Sequence, residues 1–227
     1  MLTFEYLARA PVTPAGGRPP LLVLLHGIGG NEGGLFELAP RIDPRFLVVS
    51  PRAPFENTPG QYRWFDVEFT SGSLRVNVEE AESARLRTLQ FINDVVMGYG
   101  ADPRQVYLFG FSQGATLAYS LLLTAPARMR GAVLVAGRVL PEIAPLAADA
   151  ASLRHLTLLI QHGREDPVMP LTRGVAARDL FADLGVPLGY REHPGGHRLS
   201  DAMTDEALTF LTVQLDRATR REIESPA

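Results

Sequence analysis

The stretch that most constrains this chain is Val106-Tyr107-Leu108-Phe109-Gly110-Phe111-Ser112-Gln113-Gly114, followed by Ala115–Leu123. Val106–Phe109 are apolar and mostly β-prone, which predicts a buried strand, and Ala115–Leu123 predicts a helix. A strand, a serine between glycines and a helix describe a nucleophile elbow. Such a turn is sharp enough to strain the serine backbone and project its hydroxyl off the sheet. Gly110 and Gly114 carry no Cβ, so strand and helix can approach there. Free N–H groups at the start of the helix would stabilise negative charge beside Ser112. In a chain with 21 glycines the bare Gly-x-Ser-x-Gly pattern has on the order of one chance in ten of arising from composition alone. Its meaning therefore rests on partners elsewhere.

Composition restricts what those partners can be. There is no cysteine, which removes disulfides, a thiolate nucleophile and cysteine-ligated metal, and fits a cytoplasmic location. All 22 basic residues are arginine. That excludes Schiff-base and pyridoxal-phosphate chemistry, a Walker lysine and a Ser–Lys dyad, whatever compositional bias produced it. A net charge of −3 gives no electrostatic reason to expect nucleic acid or an anionic membrane as partner. No apolar run approaches the ~18 residues of a membrane span. Met1–Tyr6 has neither a basic flank nor an apolar core, so no signal peptide is expected.

Along the chain, Leu2–Ala10 alternates like an edge strand and Pro11–Pro20 is a turn or surface loop. Leu21–Leu25 and Phe46–Ser50 are apolar runs suited to strands buried on both faces. Gly60–Ser73 reads as irregular, and Val78–Met97 as a helix ended by Gly98 and Gly100. After the elbow come a strand at Ala132–Ala136, an irregular Gly137–Ser152, a strand at Leu156–Gln161 and a helix at Leu171–Leu184. Pro187–Glu192 is a last strand, Leu199–Leu215 or beyond a last helix, and Ile223–Ala227 a frayed tail. Strands alternating with helices argue for one α/β domain over residues 1–227. Its expected core is a mostly parallel sheet with helices on both faces.

In folds with this elbow, the acid and then the histidine follow the serine. Among His155, His162, His193 and His197, the base is assigned to His197. It lies in Pro194-Gly195-Gly196-His197, after the last strand, where a glycine-rich loop can swing an imidazole over the sheet edge. His155 suits a solvated turn, and His162 precedes the best acid. Pro194–Gly196 prevents His193 and His197 from aligning on a helix as metal ligands. The acid is assigned to Asp166 in His162-Gly163-Arg164-Glu165-Asp166-Pro167, with Glu165 as runner-up. Asp149 sits in an irregular stretch and Asp201 within the last helix.

Two N–H donors would be needed for the oxyanion. One is Gln113, directly after the nucleophile. The other is Ile28 in His26-Gly27-Ile28-Gly29-Gly30, with Gly27 as alternative. His26 is expected to be structural, bonding to backbone near the elbow. A dinucleotide fingerprint here would need its third glycine where Glu32 stands, a carboxylate at the place a pyrophosphate would approach.

Leu25-His26-Gly27-Ile28-Gly29-Gly30, Trp64-Phe65-Asp66, Gly110-Phe111-Ser112-Gln113-Gly114, His162-Gly163-x-x-Asp166-Pro167-Val168-Met169-Pro170 and Gly196-His197 stand in that order. Together, over roughly residues 20–215, they resemble the phospholipase/carboxylesterase family of α/β-hydrolases, which includes acyl-protein thioesterases and small bacterial carboxylesterases. The resemblance implies an α/β-hydrolase fold without a large cap, a Ser112–Asp166–His197 triad, and oxyanion donors at Ile28 and Gln113. Position 28 is more often leucine in that family, and an aspartate usually stands where this chain has Gly30. The second departure is expected to alter the loop rather than the chemistry. Trp64 looks like part of the wall near the site, unless it is a half-buried core residue. Phe65–Ser73 and Val168-Met169 would border an acyl pocket.

The expected function is hydrolysis of carboxylic esters or thioesters with short to medium acyl chains, without cofactor or metal, since the chain has no long insertion from which to build a lid. Substrates would be small-molecule or lipid-like acyl esters, with no nucleic acid and no stable membrane insertion, and a homodimer by family analogy. The alternatives are an acyltransferase or perhydrolase on the same triad, or a non-catalytic binding module on a hydrolase scaffold.

Overall fold

A computed structural model describes residues 3–13, 17–70 and 73–224. Strands β1 (Tyr6–Arg9), β2 (Leu21–Leu25) and β3 (Leu47–Pro51) come first. Two hairpins follow, β4 (Phe55–Thr58) with β5 (Gln61–Arg63), and β6 (Val67–Thr70) with β7 (Ser73–Val76). Then come α1 (Val78–Tyr99), β8 (Val106–Phe111), α2 (Gln113–Thr124), β9 (Gly131–Val135) and α3 (Ala150–Leu153). The chain ends with β10 (Thr157–Gly163), α4 (Leu171–Asp183), β11 (Leu188–His193) and α5 (Asp201–Glu224).

The central sheet has seven strands in the order β1-β3-β2-β8-β9-β10-β11. Only β1 runs antiparallel, against β3. Leu21–Leu25 are fully buried because both faces of the sheet are covered. Leu21, Val23 and Leu25 join a core with Phe91 and Val95 of α1, Leu117 and Leu121 of α2, and Phe181 of α4. Leu22 and Leu24 point the other way, into a core closed by Met203, Ala207 and Leu211 of α5. The strand period of two thus loads both faces from one short run. The order β3-β2-β8-β9 also makes a switch point. From β2 the chain steps to one side and from β8 to the other, which opens a crevice at the C-terminal strand ends between them.

Several expected boundaries shift. β1 covers only Tyr6–Arg9, and Leu2 and residues 14–16 of the Pro11–Pro20 loop lie outside the described residues. Gly60–Ser73 is not irregular. It contributes to both hairpins, with residues 71–72 outside the described ones. These strands form ladders only within their own hairpins and stand outside the central sheet, so they lack the long apolar runs by which the central strands announce themselves. Within Gly137–Ser152, Pro141–Leu146 forms a 3₁₀ turn and Ala150–Leu153 a short helix. The strand expected to end at Gln161 runs on through His162 to Gly163, and α5 continues to Glu224, leaving 225–227 of the expected tail outside the described residues.

Candidate active site

The elbow is as sharp as its glycines require. Ser112 sits at φ 55° and ψ −115° between β8 and α2, a conformation that costs on the order of 1–3 kcal/mol and persists only because its surroundings enforce it. Its N–H donates to Val135 O at 2.9 Å. A Cβ on Gly114 would lie 2.0 Å from Leu25 O, and one on Gly110 would lie 2.6 Å from Ala115 Cα, so both positions admit only glycine at this packing.

Asp166 leaves β10 and His197 leaves β11, neighbouring parallel strands, and their loops are laced together. Arg164 N–H donates to His193 O (2.9 Å) and Glu165 N–H to Gly195 O (3.1 Å). The Glu165 carboxylate accepts from Gly195 N–H. A Cβ on Gly163 would come within 2.5 Å of the carbonyl oxygens of both Gly195 and Gly196.

His197 is thereby brought between the other two side chains. Its Nδ1 meets Asp166 Oδ2 at 2.7 Å, and its Nε2 meets Ser112 Oγ at 2.8 Å. Asp166 Oδ1 accepts from Val168 N–H (2.9 Å) and Met169 N–H (2.8 Å). The carboxylate is therefore fixed as an acceptor on both oxygens, the imidazole proton sits on Nδ1, and Nε2 is left to accept the serine hydroxyl. The Phe111 ring lies tilted against the imidazole at 5.2 Å.

The loop after β2 reaches the same point. Gly29 N–H donates to Tyr62 O (2.9 Å) and Tyr62 N–H to Gly30 O (2.8 Å), so the β4–β5 hairpin holds this loop. Gly30 N–H closes a tight turn onto Gly27 O at 3.0 Å. Among the described residues, Ile28 N–H meets no protein acceptor, and Gln113 N–H heads α2 where no helical carbonyl can reach it. Ile28 also borders the cleft beside Ser112 with its side chain, as do Val168 and Met169. Glu32, at the position where a dinucleotide fingerprint would have glycine, is hydrogen-bonded twice by Arg52, which holds its carboxyl below the usual range.

Trp64 does not line the cleft. It is fully buried, its indole N–H donating to His26 O and its backbone N–H to Gln113 Oε1, both at 2.8 Å. Gln113 Nε2 donates in turn to Phe65 O at 2.7 Å. The wall residue of this segment is Phe65, while Trp64 stands behind it as a buttress. A tryptophan with its N–H satisfied by backbone suits that place better than an open pocket. The cleft also takes Thr116 and Arg138, which the sequence did not suggest. The available signal for Arg138 was its position just after the strand that neighbours the elbow strand.

The remaining histidines are structural in their contacts. His162 Nε2 bonds Met169 O at 2.7 Å, holding the loop that caps Asp166. His155 Nε2 bonds the carbonyls of Pro126 and Met129, and His193 Nε2 bonds Glu206. His26 Nε2 accepts from Ala53 N–H (3.1 Å), so Nδ1 carries the proton and donates to Gly27 O (2.8 Å). Burial pushes the His26 imidazole below its ordinary 6.5, against smaller opposing effects of Gly27 O and Glu32. Between that lowered value and 6.5 the unfolded chain binds a proton the folded one does not, so stability is full above this window and falls as pH drops through it. One such group contributes a slope of up to about 1.4 kcal/mol per pH unit. Thermal melts at about pH 7.5 and about pH 5 should show this acid loss, and His26→Gln should be less stable at the higher pH but lose less on acidification. Equal losses in both proteins would remove His26 as the cause.

The elbow, the loop after β2 and the two laced loops together form one pattern, and comparison with known proteins matches it over nearly the whole chain. The family model described as Phospholipase/Carboxylesterase matches residues 10–215. The chain belongs to the phospholipase/carboxylesterase family. It is similar to acyl-protein thioesterase 1 of Gibberella zeae, at 28% identity over 86% of this chain and 90% of the other. It is also similar to the esterase YpfH of Escherichia coli, at 29% over 80% and 75%. A Bacillus cereus carboxylesterase crystal structure shares the fold, with a TM-score of 0.80 at 24% identity over 93% of this chain and 94% of that one. Members of this family are hydrolases, and no helix among the described residues is long and apolar enough to cross a membrane.

Proposed function

We propose that residues 1–227 act as a single catalytic domain that hydrolyses carboxylic esters and thioesters of short to medium acyl chains through an acyl-Ser112 intermediate. The observation that carries this reading is the hydrogen-bonded line from Asp166 through His197 to Ser112 Oγ, ending beside two unspent backbone N–H groups.

In the reaction, His197 Nε2 takes the proton as Ser112 Oγ attacks the acyl carbon. Negative charge moves to the former carbonyl oxygen, which Gln113 N–H and Ile28 N–H bind. The imidazolium is held by Asp166, whose second oxygen is already fixed by two N–H groups and so cannot turn away. His197 then returns the proton to the departing alcohol or thiol. Water repeats the sequence: His197 takes its proton, the hydroxide oxygen adds to the acyl carbon, and Ser112 leaves with the proton as the acid is released. Ile28, Val168 and Met169 would contact the acyl or leaving group.

A small cleft beside Ser112, walled mainly by the apolar Ile28, Phe65, Val67, Val168 and Met169, supports acyl groups of modest size. A series of 4-nitrophenyl esters of increasing chain length, with matched thioesters, tests both claims. Turnover should peak at short to medium chains. A rate rising steadily to palmitoyl would overturn the chain-length reading, and background rates with every ester and thioester would overturn the hydrolase reading.

A further inference from the structure

Arg138 is 7 % exposed and borders the same cleft as Ser112. Among the described residues its guanidinium has no hydrogen bond and no ion pair. Several other inward-leaning arginines are matched by carboxylates, Arg45 by Asp43 and Asp216, Arg52 by Glu32, Arg63 by Asp66 and Arg85 by Glu82, and Arg9 spends its guanidinium on the carbonyls of Ile42, Asp43 and Phe46. Burial lowers the proton affinity of Arg138, and nearby Arg173 adds to that effect while Glu142 opposes it without forming an ion pair. A guanidinium nevertheless keeps its charge. A mostly buried cation with no counter-charge inside the fold, opening on the cleft, is placed to meet an anion that enters there.

Its position is also fixed. The preceding Ala136 sits at φ 52°, and a Cβ on Gly137 would lie 2.6 Å from Ala115 Cβ. Arg138 N–H donates to Thr116 Oγ1 (3.3 Å), which donates to Ser112 O (3.2 Å). The backbone of Arg138 is therefore tied through one hydroxyl to the backbone of Ser112, and its side chain borders the same cleft.

We infer that Arg138 receives a carboxylate, so that the preferred substrates are carboxylate-bearing esters rather than neutral ones. The planar fork of a guanidinium matches a carboxylate with two parallel N–H···O bonds. The carboxylate can belong to the acyl side, as in a half-ester of a dicarboxylic acid, or to the leaving side, as in an ester of a hydroxy acid. The inference deepens the esterase reading and rests on it for the chemistry, while anion capture by itself does not.

Two matched pairs test it: 4-nitrophenyl hemiglutarate against 4-nitrophenyl pentanoate, and carboxymethyl butyrate against propyl butyrate. Wild-type protein should favour the anionic member of one pair in kcat/KM, which identifies the side. Arg138→Met should lower that anionic-to-neutral ratio by roughly 10–100-fold, with Arg138→Lys between the two. An unchanged ratio overturns the inference while leaving the esterase reading intact. Calorimetric titration of glutarate and of glycolate supplies a readout without turnover. Binding of one of them that is lost in Arg138→Met supports the anion site even if no ester is cleaved, and absence of binding of both to wild type counts against it. The Tm of Arg138→Met should equal or exceed that of wild type, because an unmatched buried charge is gone. A marked fall would mean that the charge is matched within the fold, and would overturn the inference.

Discussion

Ser112→Ala is expected to lower kcat/KM for any hydrolysed ester by about 10⁵–10⁶-fold, because the members of a triad act as a unit and the nucleophile has no substitute. The protein should remain folded. Alanine keeps the same backbone restriction at φ 55° and loses only the hydroxyl bonded to His197. Ser112→Gly separates chemistry from strain: it should be equally inactive, yet more stable by about 1 kcal/mol, since glycine adopts this conformation freely. Thermal melts alongside the ester assay check both halves. Retention of more than about 1 % of wild-type kcat/KM in Ser112→Ala would show that another group attacks the acyl carbon.

Asp166→Asn should cost about 10⁴-fold in kcat, and the hydrogen bonds show why. Val168 N–H and Met169 N–H both point at Oδ1, so the amide oxygen of an asparagine must stay there. The NH₂ group then faces His197 Nδ1, which must accept rather than donate. The imidazole proton moves to Nε2, the atom that should take the proton from Ser112. Geometry survives while the tautomer is wrong. Glu165→Gln should cost less than about 10-fold, because an amide oxygen can still accept from Gly195 N–H. The reverse ranking of these two variants would move the acid to Glu165.

How much of this was legible follows from where each signal lies. Leu21–Leu25 and Val106–Phe109 are apolar throughout because both faces are covered, so strand and parallel sheet could be read together. Ser112 and Asp166 could be placed because each follows a largely apolar strand, and His197 because chain order left few candidates after the last, more polar strand. The hairpins over 55–76 leave no such signal, because they pair locally and carry no apolar run. Trp64 stands behind the cleft wall and Phe65 in it. Two adjacent aromatic residues offer no sequence signal for which ring meets the cleft; the indole N–H of Trp64 is spent on His26 O, and Phe65 borders the cleft. Arg138 was invisible for a different reason. An arginine in a loop is ordinarily solvated, and only its burial without a partner sets it apart.

The lacing between the loops after β10 and β11 means that Asp166 and His197 are one mechanical part. Ser112 belongs to another, on a strand separated from them by β9. A local opening of this edge should carry Asp166 and His197 away as an intact pair and break only the contact with the serine, so the imidazole keeps its tautomer and re-docks ready to act. The same holds over evolutionary time. A larger residue at 163 would press on the carbonyls of Gly195 and Gly196, so the two loops are constrained to change together at that contact, whereas the side chains that border the cleft carry no such tie.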